Sequence, residues 1–316
     1  MTTFNTMFGI VLLFAVLLIP GYILGKLKLI EKSAMVSFSN ILMYIAMPFL
    51  VFSKLLEIDM RSVGWCEIAI SALMPIFTET LLLLLCKVLF RGKDGRSRAM
   101  TFCSIFPNCG FLGIPLASAM WPEKPEIVLY ISIFNVVSTF LLLTLGVYVL
   151  SGDKSAINFK KSLLSPITFA IVIGVVCSYL GVGEQLPYLV TYSSTLAQLT
   201  TPLAMTALGV ELSALHLIRM WKSIGIVWTS LLKLCVAPLL AFAVVALLRF
   251  VLGIGLEDGI VYAMLISCAV STAASAPAMA KKYGADSEYA ATLTLANTLL
   301  CVITLPLLYT LFAFVF

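Results

Sequence analysis

Ser104-Ile105-Phe106-Pro107-Asn108-Cys109-Gly110-Phe111-Leu112-Gly113-Ile114-Pro115 is the stretch that decides how this chain folds. It sits inside an apolar segment long enough to cross a bilayer, yet it carries Pro107, Gly110, Gly113 and Pro115. Proline removes a backbone donor and clashes with the preceding turn, while glycine lets the chain leave helical geometry without strain. The stretch therefore predicts a membrane helix broken at mid-depth by proline. Ser271-Thr272-Ala273-Ala274-Ser275-Ala276-Pro277 has the same character in the second half of the chain. Non-helical backbone survives at membrane depth only where protein buries it or a wet cavity borders it, so both segments are expected in the interior. Pro115 and Pro277 are expected at the first position of short second half-helices, where a missing N–H costs nothing.

The surrounding composition supports this reading. Of 316 residues, 61% are hydrophobic and 11% charged, with a mean hydropathy of +1.10. A soluble domain is about a quarter charged. The chain is therefore read as an all-α, multi-pass protein of the cell membrane in contact with lipid. A soluble enzyme, a nucleic-acid binder and a disulfide scaffold are disfavoured. Cys66, Cys86, Cys103, Cys109, Cys177, Cys235, Cys268 and Cys301 show no CxxC pairing and read as packing or lipid-facing thiols. The one histidine, His216, falls at a predicted loop, which removes His-based dyads and HExxH zinc chemistry. No catalytic residues, metal or cofactor are expected.

A bilayer core of about 30 Å needs about 20 apolar residues per helix. Ten such segments lie near 7–26, 35–55, 64–90, 97–120, 126–150, 163–182, 190–213, 220–250, 259–282 and 287–314. The first is preceded by no Lys or Arg and so lacks the basic start of a cleaved signal peptide. Alternating the loops gathers fifteen basic residues on one side: Lys26, Lys28, Lys32, Lys87, Arg91, Lys93, Arg96, Arg98, Lys154, Lys160, Lys161, Arg219, Lys222, Lys281 and Lys282. Lys54, Arg61, Lys124 and Arg249 fall opposite, and Lys233 lies within a span. The positive-inside bias places the basic loops in the cytoplasm and both termini outside.

The halves also resemble each other. Pro115, Glu126 and Asn135 match Pro277, Glu288 and Asn297 at an offset of 162, and Ser39, Pro48 and Glu57 match Ser193, Pro202 and Glu211 at 154. Residues 1–151 then form a first five-helix repeat, 152–162 a short cytoplasmic linker and 163–316 a second repeat. Five spans per repeat invert the second copy in the membrane, which predicts a site near the midplane where the repeats meet.

If broken spans 4 and 9 cross there, half-helix N-termini with unpaired N–H groups favour an anion. Asn108 offers a donor and an acceptor, and Ser104, Ser271, Thr272 and Ser275 add hydroxyls for substrate or a coupling cation. Alternatively these hydroxyls bond back to their own helices. Asn135 and Asn297 are polar residues in spans 5 and 10, open to substrate or to interhelical bonding. Glu126 and Glu288 read as acids favoured at helix starts. Gly21 and Gly25 form a GxxxG, read as close packing within the bundle or a homodimer seam. Glu79 in span 3 and Lys233 in span 8 lie near mid-depth, either as a proton- or ion-coupling group or as a structural ion pair.

Pro107-Asn108 followed by Gly113-Ile114-Pro115 resembles the crossover motif of the auxin efflux carrier family, which includes plant PIN-FORMED carriers and bacterial malate or malonate permeases. Asn40-Ile41-Leu42 leading to Met47-Pro48-Phe49-Leu50-Val51-Phe52, Ala276-Pro277 running into Ala280-Lys281-Lys282-Tyr283, and Leu305-Pro306 are similar to the same family. The resemblance implies a scaffold of spans 1, 2, 6 and 7 and a moving transport unit of spans 3–5 and 8–10. It implies substrate contacts at Asn108, Pro115, Pro277, Asn135 and Ser53, and an acidic position near Glu79. The long plant-type loop between spans 5 and 6 is missing.

The sequence thus reads as a secondary transporter of small organic anions, such as malate, malonate or auxin-like acids, working by alternating access with a proton or sodium as a candidate coupling ion. An ion-only antiporter would carry adjacent acidic residues at the crossing, and a membrane-embedded enzyme paired aspartates, a histidine or a metal cluster. The charge bias makes a direct prediction. In a background without native thiols, cysteines at positions 93 and 160 will resist an impermeant reagent added outside intact cells, and a cysteine at 124 will react; labelling at 93 reverses the orientation.

Overall fold

A computed structural model describes residues 2–30, 34–61, 63–157, 165–213 and 223–315. His216, Lys32, Lys160, Lys161, Arg219, Lys222 and residues 158–162 of the expected linker lie outside the described residues. Among the described residues the chain is helical, without a named strand. Six helical stretches are long and apolar enough to cross a membrane: Phe8–Lys26, Val36–Leu56, Trp65–Leu89, Pro125–Ser151, Ile224–Val251 and Ser287–Val315.

The helices used below are α1 (Thr2–Lys26), α2 (Ala34–Ile41), α3 (Met47–Leu56), α4 (Trp65–Leu89), α5 (Gly95–Ile105), α6 (Ile114–Met120), α7 (Pro125–Leu141), α8 (Val147–Ser151), α9 (Pro166–Tyr179), α10 (Val182–Gln185), α11 (Pro187–Ala197), α12 (Thr200–Ser213), α13 (Ile224–Leu231), α14 (Ala237–Ala246), α15 (Asp258–Ala269), α16 (Ala276–Lys282) and α17 (Ser287–Val315). Several are joined end to end by π-helical turns, at Leu42–Ala46, Cys109–Gly113, Leu142–Gly146 and Leu232–Val236.

Side chains alone do not set how closely helices approach in lipid, because hydrocarbon gives them little reason to associate; small residues do. The closest pair is α1 on α12. A Cβ at Gly21 would collide with the Thr206 carbonyl, and one at Gly209 with the Leu18 carbonyl. Gly25 faces the Ser213 hydroxyl on the same seam. The GxxxG is thus occupied by a helix of its own chain. α3 packs on α9 and α11, while α4, α7, α15 and α17 surround the two interrupted segments.

At the basic end, side chains hold the interrupted segments in place. Asp94 caps α5, accepting from the N–H groups of Arg96 and Ser97. The Ser97 hydroxyl, at 2.7 Å, holds the Asp94 carboxyl below the usual carboxylate range. Arg98 donates to the carbonyls of Leu150 (2.7 Å) and Gly284 (2.8 Å). Arg96 stacks over Tyr289 at 4.0 Å and donates to the Ser223 hydroxyl at 2.8 Å. At the other end Trp121 stacks on Tyr262 at 5.2 Å, and both rings meet Tyr309, tying α6, α15 and α17 together.

Candidate substrate-binding site

The site begins with two local constraints. Phe106 precedes a proline, which disfavours helical backbone, and it is extended at φ −84°, ψ 121°. In the second segment the Pro277 ring would strike the Ala273 carbonyl if the helix ran straight through. The helix instead restarts at α16, with Pro277 in its first turn and the break upstream over residues 270–275. Pro115 likewise occupies the first turn of α6. The expectation of a proline within each break holds for Pro107 alone; the second break contains small residues, and its proline acts from downstream.

The two unwound pieces pair with each other. The Asn108 N–H donates to the Ser271 carbonyl at 2.8 Å and the Ala273 N–H to the Phe106 carbonyl at 2.9 Å, an antiparallel bridge between Pro107 and Thr272. The Asn108 carbonyl accepts from the N–H groups of Leu112 (3.1 Å) and Gly113 (3.2 Å), which starts the next helical turn.

Most hydroxyls near the crossing are already bonded. Thr272 donates to the Cys103 carbonyl at 2.7 Å and accepts from the Asn297 amide at 2.7 Å. The Asn297 oxygen accepts from the Ser230 hydroxyl at 2.6 Å. Asn297 is a packing amide that joins α13, the second break and α17. Ser104 bonds back to Met100 at 2.9 Å and Ser53 to Leu50 at 3.0 Å. Two groups are different: the Asn108 amide nitrogen and the Ser271 hydroxyl are buried with no hydrogen-bond partner among the described residues. Buried polar groups are nearly always paired, so orphans on both strands of the crossing, with the Ser267 hydroxyl one helical turn away also unpartnered, call for an explanation.

Asn135 on α7 is half-buried, and a Cβ at Gly110 would sit 3.6 Å from its amide oxygen and 2.9 Å from Met47 Cε. Gly110 thus lies next to Asn135, with Met47 Cε its only tight neighbour. Gly113 meets ordinary contacts only. Pro115 is buried, Pro277 half-buried and Ser275 exposed at the start of α16. The structure brings Asn108, Ser271 and Thr272 together with Gly110 and Asn135 beside them.

Glu79 and Lys233 are both buried, at 2% and 1% exposure. They make no ion pair, contrary to the structural reading considered above. Each has a different contact: one Glu79 oxygen accepts the Ser138 hydroxyl and the other has no partner among the described residues, while Lys233 donates to the Cys268 carbonyl at 3.4 Å. Ser138 was missed in the sequence, although it lies one helical turn beyond Asn135 and so on the same face. The thiols of Cys109, Cys103, Cys268 and Cys301 are buried at the crossing and do not face lipid. Among the described residues no group of His, Cys, Asp and Glu is disposed to hold a metal ion.

An all-helical membrane protein with two interrupted segments paired across its interior has the architecture of a transporter. The chain belongs to the family described as membrane transport protein, which matches residues 6–309 and is the auxin efflux carrier family. It is 30% identical over 261 residues to an uncharacterized transporter of Methanocaldococcus jannaschii, covering 76% of this chain and 79% of that one. An uncharacterized transporter of Methanothermobacter thermautotrophicus is 24% identical over 298 residues, 92% and 94% of the two chains. A Rhizobium meliloti protein named "Putative malonate transporter" is 24% identical over 312 residues, 95% and 94% of the two chains.

The bonding of Asn297 has a measurable consequence. Asn297→Ala leaves the Ser230 hydroxyl without its acceptor and removes one donor from the Thr272 hydroxyl, which keeps the Cys103 carbonyl, at about 1 to 3 kcal/mol for the unsatisfied group. The purified variant is expected to melt well below wild type in detergent; an unchanged melting temperature removes the packing role.

Proposed function

We propose that this protein is a ten-span secondary transporter of small organic anions, built as two inverted five-span repeats around crossed helices 4 and 9. The observation that carries the reading is the pair of orphaned groups on the crossing. The Asn108 amide and the Ser271 hydroxyl are buried donors without acceptors, and a carboxylate supplies acceptors for both at once. Asn135 then offers a third polar contact from α7. A dicarboxylate such as malonate is the substrate class that agrees with the name of the Rhizobium relative.

Alternating access is supported by an asymmetry between the two ends. α6 packs against α1 and α12, where Leu112 and Leu116 share an apolar cleft with Phe14, Leu18, Met205 and Leu208. α16, its counterpart in the second repeat, packs on α5, α8 and α17 and has no comparable contact with α2, α3, α9 or α11. In this reading the apolar packing around α6 closes one route to the crossing, and the other runs past α16, where Ser275 is exposed. By the charge bias the open side is cytoplasmic and both termini are external. In this reading spans 1, 2, 6 and 7 form the scaffold and spans 3–5 and 8–10 move.

Asn108→Ala and Asn135→Ala are expected to remain folded and to lose malonate binding in a thermal-shift titration, by about 1 to 3 kcal/mol for each lost partner. Wild-type affinity in either variant removes that residue from the site. Glu79, with one bonded and one open carboxylate oxygen, is the candidate proton carrier. Glu79→Gln in liposomes is expected to keep malonate exchange and lose accumulation driven by a pH gradient. Full pH-driven accumulation by folded Glu79→Gln protein excludes that role.

A further inference from the structure

The interrupted span 9 creates a problem that neither substrate nor backbone pairing solves. α15 ends inside the protein at Ala269, and the last carbonyls of a helix have no partners within it. The Val270 N–H takes the Ile266 carbonyl at 3.1 Å. The next three carbonyls are each met by a side chain from a different part of the chain. Ser267 accepts the Cys109 thiol at 3.2 Å, Cys268 accepts Lys233 Nζ at 3.4 Å, and Ala269 accepts the Cys301 thiol at 3.5 Å.

These three caps are not equivalent. A thiol is a weak neutral donor, whereas the Lys233 amine, when protonated, brings a positive charge to the negative pole of the half-helix. Its placement is particular: Lys233 lies on the π turn Leu232–Val236 in the middle of its span, a distortion that re-aims side chains and recurs at functional sites. Glu79 is within electrostatic reach but is engaged with Ser138. The ammonium is therefore turned to the end of α15. The corresponding end of α5 carries no charge: Cys103 accepts the Thr272 hydroxyl and Phe106 accepts a backbone N–H.

In inverted-repeat carriers, unwound carbonyls and half-helix C-terminal ends are where a coupling sodium binds. Here that position is filled covalently. We propose that Lys233 is a positioning residue, a tethered cation that replaces a bound sodium at the C-terminal end of α15 and so makes anion binding at the adjacent crossing independent of sodium. Cys109, next to Asn108 in the chain, couples this capped end to the crossing. The inference rests on the transporter reading for its substrate arm and on the cap geometry alone for its stability arm.

The test compares purified wild type, Lys233→Ala, Lys233→Met and Lys233→Arg in sodium chloride and in choline chloride of equal ionic strength. Wild type and Lys233→Arg are expected to melt at the same temperature in both salts and to bind malonate with unchanged affinity. Lys233→Ala opens space for an ion. It is expected to be less stable in choline, to regain stability as sodium is titrated in by mass action, and to bind malonate about tenfold more tightly in sodium, a difference of about 1.4 kcal/mol. Lys233→Met fills the space without a charge and is expected to remain unstable in both salts. Sodium dependence in wild type overturns the proposal, even if Lys233→Ala does not fold. So does a folded Lys233→Ala protein whose melting temperature ignores sodium. Absence of any malonate shift in wild type, with sodium still rescuing the stability of Lys233→Ala, counts against the malonate reading and leaves the tethered cation standing.

Discussion

A backbone N–H or carbonyl left unpaired in hydrocarbon costs several kcal/mol, and the pairing of residues 106–108 with 271–273 is what allows two helices to stop inside this protein. Each break by itself is untenable. Together they exchange the Asn108–Ser271 and Ala273–Phe106 hydrogen bonds, and the Thr272 hydroxyl covers a further carbonyl at Cys103. The crossing therefore fixes the first interrupted segment against the second, and everything positioned by either inherits that geometry. It also releases groups that a continuous helix would hide. Asn108 and Ser271 keep their side chains free because their backbones are already engaged.

The rest of the fold secures the crossing from several directions. Asn297 reaches in from α17 and is itself held by Ser230 on α13. Three side chains, those of Cys109, Lys233 and Cys301, close the end of α15. At the basic end Arg98 ties the carbonyls of Leu150 and Gly284. Basic side chains thus hold together the ends of the interrupted segments. At the opposite end, aromatic stacking of Trp121, Tyr262 and Tyr309 does the same without charge.

Away from the crossing, the glycine seam between α1 and α12 uses close backbone approach in place of side-chain interdigitation. Gly21 and Gly209 each face a carbonyl of the opposing helix, so the two helices form a closely packed wall. The apolar cleft between this wall and α6 is the closed end of the proposed pathway, and α16 at the other end has no such wall against it.

The sequence by itself determined the helical class, the membrane environment, the apolar segments, the two interruptions and the family, because hydropathy, proline and glycine act over neighbouring residues. It also singled out Asn108, whose position between Pro107 and Gly110 is a local fact. Only the tertiary structure decided which polar groups are spent and which are open. Thr272 bonds a carbonyl 169 positions away and Asn297 a hydroxyl 67 positions away, whereas the hydroxyl of Ser271, adjacent to Thr272, has no partner among the described residues. Nothing in the local pattern separates these three. The same holds for Glu79 and Lys233: two opposite charges at similar depth suggest a pair, and the fold gives each a different partner, Ser138 for one and the end of α15 for the other. Local sequence fixes where a helix must break; which donors meet which acceptors depends on how the broken ends are brought together.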